Sequence, residues 1–145
     1  MKKKIIYGLL AALIIIQFFP IDQNNPAVID GQDYLASSQI PQETQTLIEN
    51  ACYDCHSNTT DYPWYFRPQP LGWWLKGHVK GGRSKINFSE WGSMSSEDQK
   101  HALHECVEVL EEKHMPIKSY TWLHGEAQLT DEQRALLVQH FGAAH

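Results

Sequence analysis

The stretch ACYDCHSN, residues 51–58, constrains this chain more than any other. It sets Cys52, Cys55 and His56 close together, so any fold must bring two thiols and an imidazole to one place. That set suits a zinc knuckle, a redox dithiol, a structural disulfide or a site of covalent haem attachment. The remaining cysteine, Cys106, leaves an odd count, whereas a small disulfide scaffold carries an even one.

The N-terminal segment bears on the compartment. Lys2, Lys3 and Lys4 precede fifteen residues, Ile5 to Phe19, that are apolar except for Gln17. A basic start followed by an apolar run is an export pattern, and the lysines keep the start inside. No small-x-small cleavage site and no lipid-accepting cysteine follows. As a helix the run spans about 22 Å, short of the ~30 Å hydrocarbon core, a gap that snorkelling lysines and local thinning can cover. Residues 1–20 are expected to be an N-terminal membrane anchor or a cleaved signal peptide. The remainder then lies on the periplasmic side of a bacterial inner membrane, or free in the periplasm or secreted if the signal is cut.

From residue 20 onward nine Lys and Arg face seventeen Asp and Glu, a formal charge of −8. That balance argues against nucleic acid and against docking on anionic lipid, and suits a redox partner protein with a basic docking patch. The length of 145 residues favours one domain, here residues 42–145 after a linker at 21–41 rich in Asn, Gln, Pro and Ser.

Helical periodicity dominates. A short helix is predicted through PQETQTLIENACYDCH, ending at His56, and another through LGWWLKGHVKGGR, stopping at Gly81-Gly82. The stretch SKINFSEWGSMS reads as irregular. The longest helix is predicted over Ser96–His114, with Ala102, Leu103, Cys106, Val107 and Leu110 as its apolar stripe and Pro116 barring continuation. A last helix in LTDEQRALLVQHF carries a Thr130/Gln133 capping box. No stretch alternates as a strand does, so the class is all-α, a small helical domain with long loops behind one N-terminal hydrophobic helix.

Cys52-x-x-Cys55-His56 has the spacing of c-type haem attachment. Two intervening residues let the thiols reach two vinyl groups of one haem, and the adjacent histidine then meets the iron. A thioredoxin-like dithiol would sit near a βαβ pattern, which is missing. A zinc site needs a second ligand pair, and the best here, His101 and His104, reads as a solvated face paired with Glu105 and Glu108. The expected cofactor is one covalently attached haem c, with Cys52 and Cys55 as tethers and His56 as iron ligand.

Met115, about sixty residues further on and just before Pro116, is the first choice for the second axial ligand. His124, His78 and Met94 are reserves. Arg67 and Arg83 are candidates for the haem propionates, because Arg grips carboxylates bidentately. Trp64, Tyr65, Trp73, Trp74 and Trp91 read as core, with one or two walling the haem. Cys106 reads as a buried free thiol. Asn58 and Asn87 begin glycosylation sequons by pattern.

CYDCHSNTTDYPWY, HVKGGRSKINFSEW and HMPIKSYTWLHGEAQLTDEQRALLVQHF together resemble the bacterial haem-binding domain proteins, small exported single-haem chains akin to cytochrome c. The resemblance runs from about residue 45 to 141. It implies covalent haem at Cys52 and Cys55, His56 as proximal ligand and Met115 as distal ligand. The family's His-Pro is His124-Gly125 here, a departure that loosens that turn. The expected role is one-electron transfer by a monomer rather than enzyme catalysis. The alternatives are a haem-based sensor or ligand-binding module with an open sixth site, and a zinc-binding structural domain.

Overall fold

The computed structural model describes residues 1–37 and 39–143, and among the described residues the chain is helical with no strand. Helix α1 spans Lys2–Ile16, and none of its residues is buried. No helix among the described residues is long and apolar enough to cross a membrane.

The segment expected as a linker joins the core instead. It contains a short helix α2, Tyr34–Ser37, whose Tyr34 is buried edge-on against Trp91 with ring centroids 4.9 Å apart. Ile40 is buried as well. The apolar residues of this polar stretch recur with no helical or strand period, so local pattern could not reveal the burial of Tyr34 and Ile40.

Helix α3, Gln42–Ile48, runs on through a π-helical turn, Glu49–Tyr53, into α4, Asp54–His56. The expected helix up to His56 therefore forms, but its third turn is widened. A π turn holds more residues than an α turn and rotates whatever follows it. Helix α5, Leu71–Lys85, continues through Gly81-Gly82 instead of stopping there. Gly82 sits so close to the Cys55 carbonyl that an added Cβ would lie 2.5 Å from its oxygen. Glycine is needed here for close approach, not as a terminator.

The stretch read as irregular is mainly a 3-10 turn, Phe88–Ser93, capped by the Asn87 side chain. Helix α6, Ser96–Glu111, starts at an N-cap where Ser95 accepts from the Asp98 N–H. It stops three residues before the predicted end, and Lys113 takes a left-handed φ of 57° that reverses the chain. Helix α7 is a single turn, Lys118–Thr121, and α8 spans Asp131–Ala143. The Thr130/Gln133 capping box is present with both reciprocal bonds, at 2.9 and 3.2 Å.

Ala102, Leu103 and Leu110 of α6 pack on Leu137 and Phe141 of α8, and Ile48 and Phe88 close the same cluster. Tyr53 stacks on Phe88, 5.5 Å between centroids, which ties the π turn to the core. The two glycines of α5 give opposite expectations. Gly82→Ala should destabilise the chain by about 1–3 kcal/mol, because a backbone oxygen must move. Gly77, where an added Cβ meets nothing within 4 Å, should gain about 0.5–1 kcal/mol on substitution by alanine. Urea titration of both variants measures the contrast.

Candidate functional site

The two thiols open into neighbouring lobes of one cleft. The first lobe, about 300 Å³, is lined by Cys52, Phe88, Cys106 and Val109, among others. The second, about 540 Å³, is lined by Cys55, Trp73, Gly77 and Gly81. His56, Met115, Pro116 and Lys85 line both. These volumes fall in the ~300–1,000 Å³ range of ligand pockets.

The end of α5 sets the orientation of the motif. His56 Nδ1 lies 3.3 Å from the Ile86 carbonyl oxygen. A carbonyl can only accept, so Nδ1 carries the proton and Nε2 keeps a lone pair for a metal. Burial lowers the proton affinity of His56 below the ordinary value, against the pull of the Ile86 and Gly82 carbonyls. The ring is therefore held neutral, the form that ligates metals.

Cys52, Cys55 and Cys106 are all free thiols. Burial pushes the Cys52 thiol far up, and Cys106 and Cys55 add to the shift. Burial and the Asp54 carboxylate push Cys55 up to about 11. Burial and Glu105 push Cys106 up to about 12. A redox nucleophile needs the opposite shift. Cys106, read as buried core, is half-buried and shares a lobe with Cys52.

Met115 is held by its backbone. Its N–H and that of His114 donate to the Val109 carbonyl at 3.2 and 2.9 Å. Its own carbonyl accepts from Arg134 Nη1 at 2.6 Å, and the same nitrogen donates to the Leu110 carbonyl at 3.0 Å. Arg134 is thus a positioning residue that sequence reading missed. Nothing local signals it, since its partners lie 19 and 24 residues away.

Arg83 is not at the cleft wall. Its Nε donates to the Ser57 carbonyl at 2.7 Å, and Nη2 donates to Asn25 Oδ1 and Thr60 Oγ1 at 2.8 Å. Those bonds pin the chain just after His56, so Arg83 clamps the motif, and it lines neither lobe. Arg67 lies exposed in the turn before Pro68 and lines neither lobe. Among the described residues, Lys85 is the Lys or Arg that does line them.

The reserve ligands separate as well. His78 lines the second lobe, with Nδ1 3.0 Å from the Trp74 carbonyl oxygen. His124 lines neither lobe, and its ring is taken up by Tyr65 at Nε2 and by Glu126 at Nδ1. Met94 packs against the core near Trp91. His101 and His104 pair with Glu105 and Glu108 at 3.6 and 3.5 Å, the solvated arrangement expected. Among the described residues, no group of three or more His, Cys, Asp or Glu is placed to hold a metal ion.

Of the aromatics read as core, Trp91 is buried, while Trp64, Trp73 and Trp74 are exposed. The sequons are structural. Asn58 is buried and donates to the Ala27 carbonyl, while Asn87 donates to Asn58 Oδ1.

The fit to a flat macrocycle is physical. Gly77 and Gly81 leave one wall of the second lobe bare, and a Cβ at either would point into open space. A lone-pair imidazole and two protonated thiols face the same apolar space. The chain belongs to the haem-binding domain family, whose model matches residues 11–143, and its cofactor is accordingly haem. No curated protein and no solved structure matches it.

Two outcomes test this description. In the folded haem-free chain, iodoacetamide should alkylate Cys55 on the order of a hundredfold more slowly than in urea at pH 8. The rate should climb with pH until about 11. Arg134→Met should cost about 1–3 kcal/mol in urea unfolding, since two carbonyls lose a charged donor.

Proposed function

We propose that this chain is a c-type cytochrome of the cytochrome c-like class, carrying one electron at a time on the periplasmic side of a bacterial inner membrane. The observation that supports this best is the cleft shared by Cys52, Cys55, His56 and Met115. Haem there supplies a metal centre that cycles between ferric and ferrous states.

The residues of the chain do the rest. Cys52 and Cys55 would hold the haem through thioether links, each thiol supplying both the sulfur and the hydrogen that saturate one vinyl group. Both thiols are held in the protonated form that supplies that hydrogen. His56 offers Nε2 as proximal ligand, its ring oriented through Nδ1–H by the Ile86 carbonyl. Met115 offers a thioether from a loop held by Arg134, and a soft ligand favours the reduced metal. Lys85, which lines both lobes, would pair with a propionate. Apolar side chains dominate both lobes, and the chain acts as a carrier. Glu105 and Glu108 sit at the edge of the first lobe, where they would steer a basic partner protein.

A second reading has one observation behind it. Met115 remains 36 % exposed, so an external ligand could compete for its position and make the chain a sensor.

Denaturation in alkaline pyridine should yield the haemochrome of a thioether-linked haem. Cys52→Ala/Cys55→Ala should release the haem to acidic organic solvent, and retention of the haem would refute the covalent link. Met115→Ala should abolish the near-infrared charge-transfer band of methionine ligation in the ferric protein. An unchanged ferric spectrum removes Met115 as the ligand. Binding of carbon monoxide by the reduced wild type favours the sensor.

A further inference from the structure

Helix α1 is apolar, has no buried residue, and is nevertheless pinned to the domain at its end. Gln17 Nε2 donates to the Gln69 carbonyl and the Gln69 N–H donates to Gln17 Oε1, both at 2.9 Å. Trp73 Nε1 donates to the Phe19 carbonyl at 2.9 Å. The exposed apolar surface of α1 therefore continues into exposed Phe18 and Phe19 and on to Trp73 and Trp74, which are 42 % and 49 % exposed. Both tryptophans line the second lobe of the cleft.

Charge is segregated in the same sense. Residues 62–89 carry Arg67, Lys76, Lys80, Arg83 and Lys85 and no Asp or Glu. Lys80 lies seven residues after Trp73, hence on the same face of α5. The acidic residues Glu97, Asp98, Glu105, Glu108 and Glu111 lie instead on α6. A formal charge of −8 over the domain thus conceals one basic, tryptophan-rimmed face, although the total had argued against anionic lipid. Indole rings combine an apolar body with an N–H donor and favour the headgroup layer of a bilayer.

We propose that α1, Phe18, Phe19 and the Trp73–Trp74 edge of α5 form one membrane-interface surface. It rests in the headgroup layer of a bilayer containing anionic lipid, so the second lobe opens at that level. This goes beyond the haem reading and does not rest on it.

The full chain is mixed with vesicles of phosphatidylcholine and phosphatidylglycerol. The vesicles carry a phospholipid photoprobe with its reactive group just below the headgroup, and labelled peptides are identified by mass spectrometry. Label is expected on peptides containing Phe19 and Trp73–Trp74, and not on α6. Trp73→Ala/Trp74→Ala should reduce labelling of the residue 68–85 region by about tenfold or more, while α1 stays labelled. Lys80→Glu should reduce it in these vesicles but not in pure phosphatidylcholine. Label confined to α1, or spread equally over α6, overturns the proposal. So does labelling that ignores the tryptophan changes or the anionic lipid, or a second copy of the chain cross-linked over Trp73 in place of lipid.

Discussion

The close approach of α5 to the turn carrying Cys55 and His56 is the contact on which the site depends. Gly82 lets two backbones meet where any Cβ would collide with the Cys55 carbonyl. One residue on, Arg83 holds the Ser57 carbonyl and the Thr60 hydroxyl. Three further on, the Ile86 carbonyl fixes the imidazole tautomer. A short run at the end of one helix therefore sets the spacing, the exit direction and the protonation of the motif. Displacing that helix end would disturb all three together.

The opposite wall is built by other means. Helix α6 reverses at Lys113, and Arg134 of α8 reaches back to hold the carbonyls of Leu110 and Met115. The methionine is thus carried by a loop with a charged tether, whereas the histidine is carried by packed helix. The two walls differ in charge as well, with glutamates on α6 and lysines on α5.

Legibility in the sequence followed the range of the interaction. The apolar stripe of α6 and the Thr130/Gln133 box of α8 were readable because their partners lie three or four residues away. Gly82 was misread as a stop because a helix terminator and a close-contact glycine look alike without the partner strand of backbone. Arg83 is a propionate candidate on its charge alone, because its bonds to Ser57, Asn25 and Thr60 span 26, 58 and 23 residues. Tyr34 and Ile40 were lost in a polar stretch. Trp73 and Trp74 lie outside the core and rim the cleft, as expected of one or two of the aromatics but not of these two in particular.

Cys52, Cys55 and His56 are adjacent in the chain, so the sequence by itself determined that two thiols and an imidazole would share a site, and pointed to the cofactor. Tertiary structure decided the rest. It brought Met115 and Lys85 to the cleft lining, tied the Met115 carbonyl to Arg134, and set Arg83 and His124 outside both lobes. The physical reason is distance along the chain. Spacing of a few residues is enforced by covalent geometry, whereas the far wall exists only once α5, α6 and α8 have packed.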